Sequence, residues 1–165
     1  MREVQDNVIL IIMGRGELEE GLKMIAQELN LLNRKVFFHE AVRQDVLLRY
    51  TASADISIIP YPAVDLNSYY CTPNKLFEYI QAGLPILAND LPELRRFVEG
   101  YKIGLVHKME TVEDIAEAIN TILRANLNEF RENLKRARRE LSWSEQARKL
   151  VNLVSKLPVL KTKRK

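Results

Sequence analysis

At 165 residues, with 47% hydrophobic and 28% charged side chains, the chain suits one domain with a real core, and its composition excludes a disordered or fibrous class. One cysteine, Cys71, excludes an internal disulfide, and the opening MREVQDN shows no signal peptide; both fit a reducing, cytoplasmic setting. The net charge of +3 gathers in Arg131–Arg139 and in the closing LKTKRK, where few interleaved aromatics and no known motif argue against nucleic acid. Two readings of these basic segments stay open: a solvated helix face with a flexible tail over 158–165, or attraction to anionic lipid headgroups, peripheral to a membrane.

Val8-Ile-Leu-Ile-Ile-Met13 is a continuous apolar run, far too short to span a membrane, and predicts a strand buried on both faces. Gly14-Arg-Gly16 turns it into a helix from about Glu17 to Leu29, with Glu17, Glu19 and Glu20 suited to the first turn. On its own the Gly-x-Gly reads as a tight turn, although such loops between strand and helix often bind phosphate. Arg34–His39 is the second strand, and Arg43–Ser53 the second helix. Asp55–Pro60 is the third strand, followed by a loop from Tyr61 to Cys71. His39 and His107 read as structural, and the scattered histidines and lone cysteine lack metal-ligand spacing.

Thr72–Glu93, TPNKLFEYIQAGLPILANDLPE, packs several signals together. Thr72 is expected to cap a helix with Pro73 in its first turn; Gly83 ends it and Pro85 blocks its continuation. Unpaired N–H groups at Asn74 and Lys75, with the lysine's charge, make an anion site, and Glu78 shares their face. Pro85–Ala88 is the fourth strand, Pro92–Val98 a helix ended by Gly100, and Tyr101–Val106 the fifth strand. Three helices close the chain: Val112–Leu123, Leu127–Arg139 and one starting at Ser142-Trp143, with Trp143 as a packing anchor. Alternating strands and helices predict an α/β, Rossmann-like, doubly wound parallel sheet within residues 1–157.

PNKLFEYIQAGLPILA resembles the donor-binding motif of the group 1 (family-4) GT-B glycosyltransferases, and the resemblance extends over nearly the whole chain, through RKVFFH, the helix before Asp55 and SWSEQARKLVNLV. It implies the nucleotide-sugar-binding half of a retaining glycosyltransferase. The diphosphate, of UDP or GDP type, would lie at the helix start, with Lys75 and backbone groups from Thr72 and Asn74 to Leu76, while Glu78 would hold the ribose hydroxyls. The resemblance assigns the catalytic roles to Lys75 and Glu78. It adds Gly14 and Gly16 to the donor cleft and has the backbone from Glu40 to Val42 read the nucleobase. No metal or other cofactor is demanded.

Two departures stand out. Many family members carry a glutamate eight positions before the helix glutamate; here it is Tyr70, which offers a hydroxyl but no charge. The family's first strand–helix unit, with its phosphate-neutralising arginine and lysine, has no counterpart before Val8, nor has the acceptor-binding domain. Because that strand sits centrally, the sheet is expected to rearrange, or to recruit Arg2–Asn7 or a second copy. The two functional readings are a donor-binding domain active with an acceptor-binding domain or second chain, and a non-catalytic partner module that keeps the fold.

Overall fold

The computed structural model describes residues 1–4 and 7–157, so the tail over 158–165 lies outside the described residues. Strands β1 (Leu10–Met13) and β2 (Val36–His39) form a parallel pair, and β3 (Ser57–Ile59), β4 (Ile86–Asn89) and β5 (Gly104–His107) form a second parallel sheet in that order. The connections are helical: α1 (Glu19–Glu28), α2 (Gln44–Thr51), α3 (Leu66–Tyr70), α4 (Asn74–Ala82) and α5 (Pro92–Tyr101). Helices α6 (Val112–Arg124), α7 (Leu127–Glu140) and α8 (Trp143–Ser155) close the chain.

The core is built around β4, whose four residues are all buried. The two-residue period of a strand sends alternate side chains to opposite faces. Ile86 and Ala88 meet Leu76 and Ile80 of α4, Leu94 and Val98 of α5 and Leu134 of α7. Leu87 enters a smaller cluster with Met109 and with Ala118 and Ile122 of α6. This half is therefore a sheet covered on both faces.

Helix ends follow local chemistry. Gly83 closes α4 at φ 81, the left-handed region glycine occupies freely. Helix α6 opens on a capping box: the Thr111 Oγ1 accepts from the Asp114 N–H at 3.1 Å, and Asp114 accepts in return from the Thr111 N–H at 3.0 Å. Thr111→Ala is expected to lower stability by about 1 kcal/mol. A shifted urea midpoint with an unchanged slope checks this.

Several expectations are corrected. Gly100 does not end its helix; α5 runs to Tyr101, and Lys102 takes the left-handed turn at φ 54. The loop after β3 contains α3, whose start is fixed by the Asp65 carboxylate accepting from the Ser68 N–H at 2.6 Å. Trp143 is 79% exposed and anchors nothing, because α8 meets α7 and buries none of its own residues. The first strand is not buried on both faces: Ile9 and Ile11 are more than half exposed, and α1 buries only Ala26.

The sheet does not rearrange. The strands form two separate sheets, β1 beside β2 and β3 beside β4, and among the described residues β1 pairs with no strand but β2, and β3 with none but β4. Nor does the N-terminal segment add a strand among its described residues. Its described part forms a strap instead: Arg2 donates to the Leu29 carbonyl at 3.4 Å, Lys35 to the Val4 carbonyl at 3.2 Å, and Asn120 of α6 to the Glu3 carbonyl at 3.0 Å. Val4, within the strap, is buried. This strap and the packing of α2 on α4 tie the two sheets together where strand pairing does not.

Candidate functional site

The start of α4 carries the densest set of candidate side chains. Pro73 is the N-cap residue, extended at φ −70 and ψ 146, and no side chain caps the helix. Thr72 does not cap it, because the helix opens one residue later, with Pro73 in the N-cap position; Arg96 first, and Thr72 to a lesser degree, hold the Glu93 carboxyl below the usual glutamate range. The Leu76 N–H is taken by the Pro73 carbonyl at 3.0 Å, and its side chain is fully buried. The N–H groups of Asn74 and Lys75 make no hydrogen bond among the described residues. They sit at the positive end of the helix dipole, which favours an anion.

Lys75 is exposed, and its ammonium stands 5.5 Å from the centre of the Tyr61 ring. Tyr61 is itself placed by β4: its carbonyl accepts from the Asn89 side chain at 2.7 Å. Glu78, one turn along, is half-buried and makes no ion pair among the described residues, so the pairing with Lys75 that spacing allows is not formed. Its charge is felt nearby: burial first, then Glu78 and Tyr61, pushes the Tyr79 phenol up. A half-buried carboxylate with no cation of its own retains acceptor capacity for hydroxyl donors.

The remaining candidates lie at the carboxyl ends of other strands. Gly14 follows β1 at φ 142, where only glycine is at ease, and its N–H donates to the His39 carbonyl at 3.0 Å. The Gly16 carbonyl accepts the Glu19 N–H at the start of α1. Glu40 is exposed after β2 and Val42 half-buried; both precede α2, which packs on α4. Tyr70, the last residue of α3, is exposed and edge-on to Tyr69 at 4.8 Å. His39 Nδ1 lies 2.7 Å from the Glu40 carbonyl and its ring meets Tyr50; His107 makes the same local bond to the Lys108 carbonyl. No group of three or more His, Cys, Asp or Glu side chains among the described residues is placed to hold a metal ion.

Sequence reasoning missed Asn89. Its side-chain oxygen accepts from the Asp90 N–H at 2.9 Å and the Met109 N–H at 3.0 Å, while its nitrogen holds Tyr61. One buried amide thus ties together the ends of β3, β4 and β5. A cleft of about 440 Å³ opens beside it, lined by Tyr69, Asp90, Lys108 and Glu110 among others, and none of Asn74, Lys75 or Glu78 lines it. The cleft's charges are largely paired, Lys108 with Glu110 and Asp90 with Arg95, each at 2.7 Å. The available signal was the polar Asn-Asp pair ending an apolar run.

The profile of the family described as glycosyl transferases group 1 matches residues 1–141. No curated protein matches. Among solved structures, the chain is similar to WaaG, a glycosyltransferase involved in lipopolysaccharide biosynthesis, with 19% identity and a TM-score of 0.66 over 94% of this chain and 41% of that one. It is also similar to a sucrose-phosphate synthase from Thermosynechococcus elongatus, with 20% identity and a TM-score of 0.63 over 89% of this chain and 38% of that one. The chain therefore spans about two fifths of the length of these two structures.

Proposed function

Since this chain belongs to the group 1 glycosyl transferases, we propose that it is the donor-binding domain of a retaining glycosyltransferase, taking a nucleotide-diphosphate sugar and acting with an acceptor-binding half. The observation that carries the reading is the α4 start. Uncapped N–H groups, an ammonium and an unpaired, half-buried carboxylate follow one another within about one turn. The diphosphate lies against the Asn74 and Lys75 N–H groups and the Lys75 ammonium. The ribose hydroxyls donate to Glu78. When the bond from the sugar's anomeric carbon to the diphosphate breaks, negative charge grows on the leaving oxygen, and fixed donors at that position lower the barrier. The acceptor hydroxyl forms the new bond from the face the diphosphate leaves, and its proton passes to the departing diphosphate oxygen. Gly14, Gly16 and the backbone from Glu40 to Val42 contribute from the β1–β2 side, and Tyr70 stands where a charged sugar contact is absent.

Calorimetric titration with UDP, GDP and their sugar conjugates tests this. One diphosphate is expected to bind, and Glu78→Ala to weaken it about 10- to 100-fold, the worth of charged hydrogen bonds to two hydroxyls. Lys75→Ala is expected to cost about tenfold with nucleoside diphosphate and little with the bare nucleoside. The open edges of β1 and β3 favour a second reading, a partner module that keeps the fold without the chemistry. No binding of any nucleotide by a folded chain would select it.

A further inference from the structure

Lys75 and Glu78 stand three positions apart on α4, a spacing at which opposite charges meet, yet no ion pair joins them among the described residues. The reason lies on the neighbouring segment. The Lys75 ammonium is 5.5 Å from the centre of the Tyr61 ring, within the reach of about 6 Å over which a ring face attracts a cation. The competing ion pair is weak on two counts. An exposed pair gains little in water, and a lysine that precedes its glutamate along a helix is the less favourable order, since the helix dipole opposes it.

Tyr61 is held more firmly than its place in a loop suggests. It lies between Pro60 and Pro62, and a following proline confines a residue to extended backbone. The Asn89 side chain clamps its carbonyl at 2.7 Å. Its ring is half-buried and packs against the cluster that contains Leu76 and Ile80 of α4. The hydroxyl makes no hydrogen bond among the described residues, so the face of the ring is what Tyr61 offers to Lys75.

We propose that Tyr61 is a positioning residue for the anion site: its ring seats the Lys75 ammonium at the start of α4 and keeps it off Glu78. Two consequences follow for the ligand. A lysine stem that is already seated loses less freedom when an anion arrives, so less of the binding energy is spent on ordering it. Glu78, left without a cation, keeps its oxygens for hydroxyl donors. The site therefore holds its positive and negative groups apart, as a molecule with a diphosphate at one end and free hydroxyls beside it requires. The choice of a nucleoside diphosphate as ligand rests on the donor-site reading above, whereas the seating of Lys75 is measured without any nucleotide.

Nuclear magnetic resonance of the full chain, with its lysines carbon-13 labelled, reads that seating. The Lys75 ε-methylene protons should lie upfield of those of the other lysines, shifted by the ring, and show cross-peaks to it; Lys75→Gln identifies the signal by its loss. Tyr61→Phe keeps the ring and should keep both features. Tyr61→Leu should lose them and gain cross-peaks from Lys75 to the Glu78 γ-methylene. Calorimetry with UDP and GDP then follows the site: Tyr61→Phe should bind as the parent does, and Tyr61→Leu about two- to fivefold more weakly. A Lys75 signal lying among the other lysines in the parent overturns the proposal and needs no variant. So do equal losses of affinity in the two variants, or a leucine variant that binds as the parent does. If the parent binds neither nucleotide while the Lys75 signals respond as stated, the donor-site reading fails and the seating of Lys75 stands.

Discussion

Gly104→Ala is expected to remove a large part of the molecule's stability margin. Gly104 stands opposite Ile86 in the β4–β5 register, and a Cβ there would lie 1.8 Å from the Ile86 carbonyl oxygen and 2.6 Å from its carbonyl carbon. The obstacle is backbone, so no rotamer change relieves it. β5 must move away from the one strand buried along its whole length, and the Leu87–Met109 cluster opens with it. A loss of about 3 kcal/mol or more follows, at the upper end for overpacking. In a chain of this size that lowers the melting temperature by about 10 °C. Gly21→Ala is the control, because the site lies inside α1 with nothing within 4 Å of the added carbon. There the better helix propensity of alanine should raise stability by up to about 1 kcal/mol. Thermal melts of both variants check the pair, and a wild-type melting temperature for Gly104→Ala would refute the close approach.

The second large effect is expected at Asn89, which is 7% exposed and makes three hydrogen bonds. Asn89→Leu fills a similar volume but leaves the Tyr61 carbonyl and the Asp90 and Met109 N–H groups without that partner. Stranding buried polar groups in this way should cost about 3 kcal/mol. The effect reaches α4 as well. Tyr61 is the ring beneath the Lys75 ammonium, so its release should also weaken diphosphate binding several-fold, although Asn89 is not among the proposed ligands. Asn89→Asp separates the contributions. It keeps the acceptor for the two N–H groups and sets a carboxylate oxygen against the Tyr61 carbonyl, so it should lose less stability than the leucine variant and a similar part of the affinity. Denaturant titration and calorimetry read the two quantities.

Much of the fold was legible because its signals are local. Apolar runs, glycine stops and proline positions marked all five strands and seven of the eight helices, with shifts of a few residues at their ends. What escaped was set by competition between partners. Asp65 captures a backbone N–H and makes a helix too short for periodicity to announce. Thr72 had the chemistry of a cap, but the helix opens one residue later and Pro73 takes the N-cap position. Lys102, and not Gly100, adopted the left-handed turn. The burial of the first strand was misread for a different reason: an apolar run states what a strand tolerates, whereas exposure depends on which neighbours are present. At the candidate site, the succession of Asn74, Lys75 and Glu78 followed from helical geometry. The Asn89 linkage did not, since it joins segments up to 28 positions apart.

The division into two sheets also bears on how the molecule comes apart. A sheet continuous from edge to edge transmits opening at one strand to all the others. Among the described residues the β1–β2 pair, with few buried side chains of its own, is coupled to the β4 core mainly through the packing of α2 on α4 and the strap at residues 1–4. Such a pair is a separate cooperative unit of lower stability. Its amide hydrogens can exchange with solvent while those of β4 remain protected. The Gly14 loop and Glu40 then belong to the piece that opens first, and Lys75 and Glu78 to the piece that opens last.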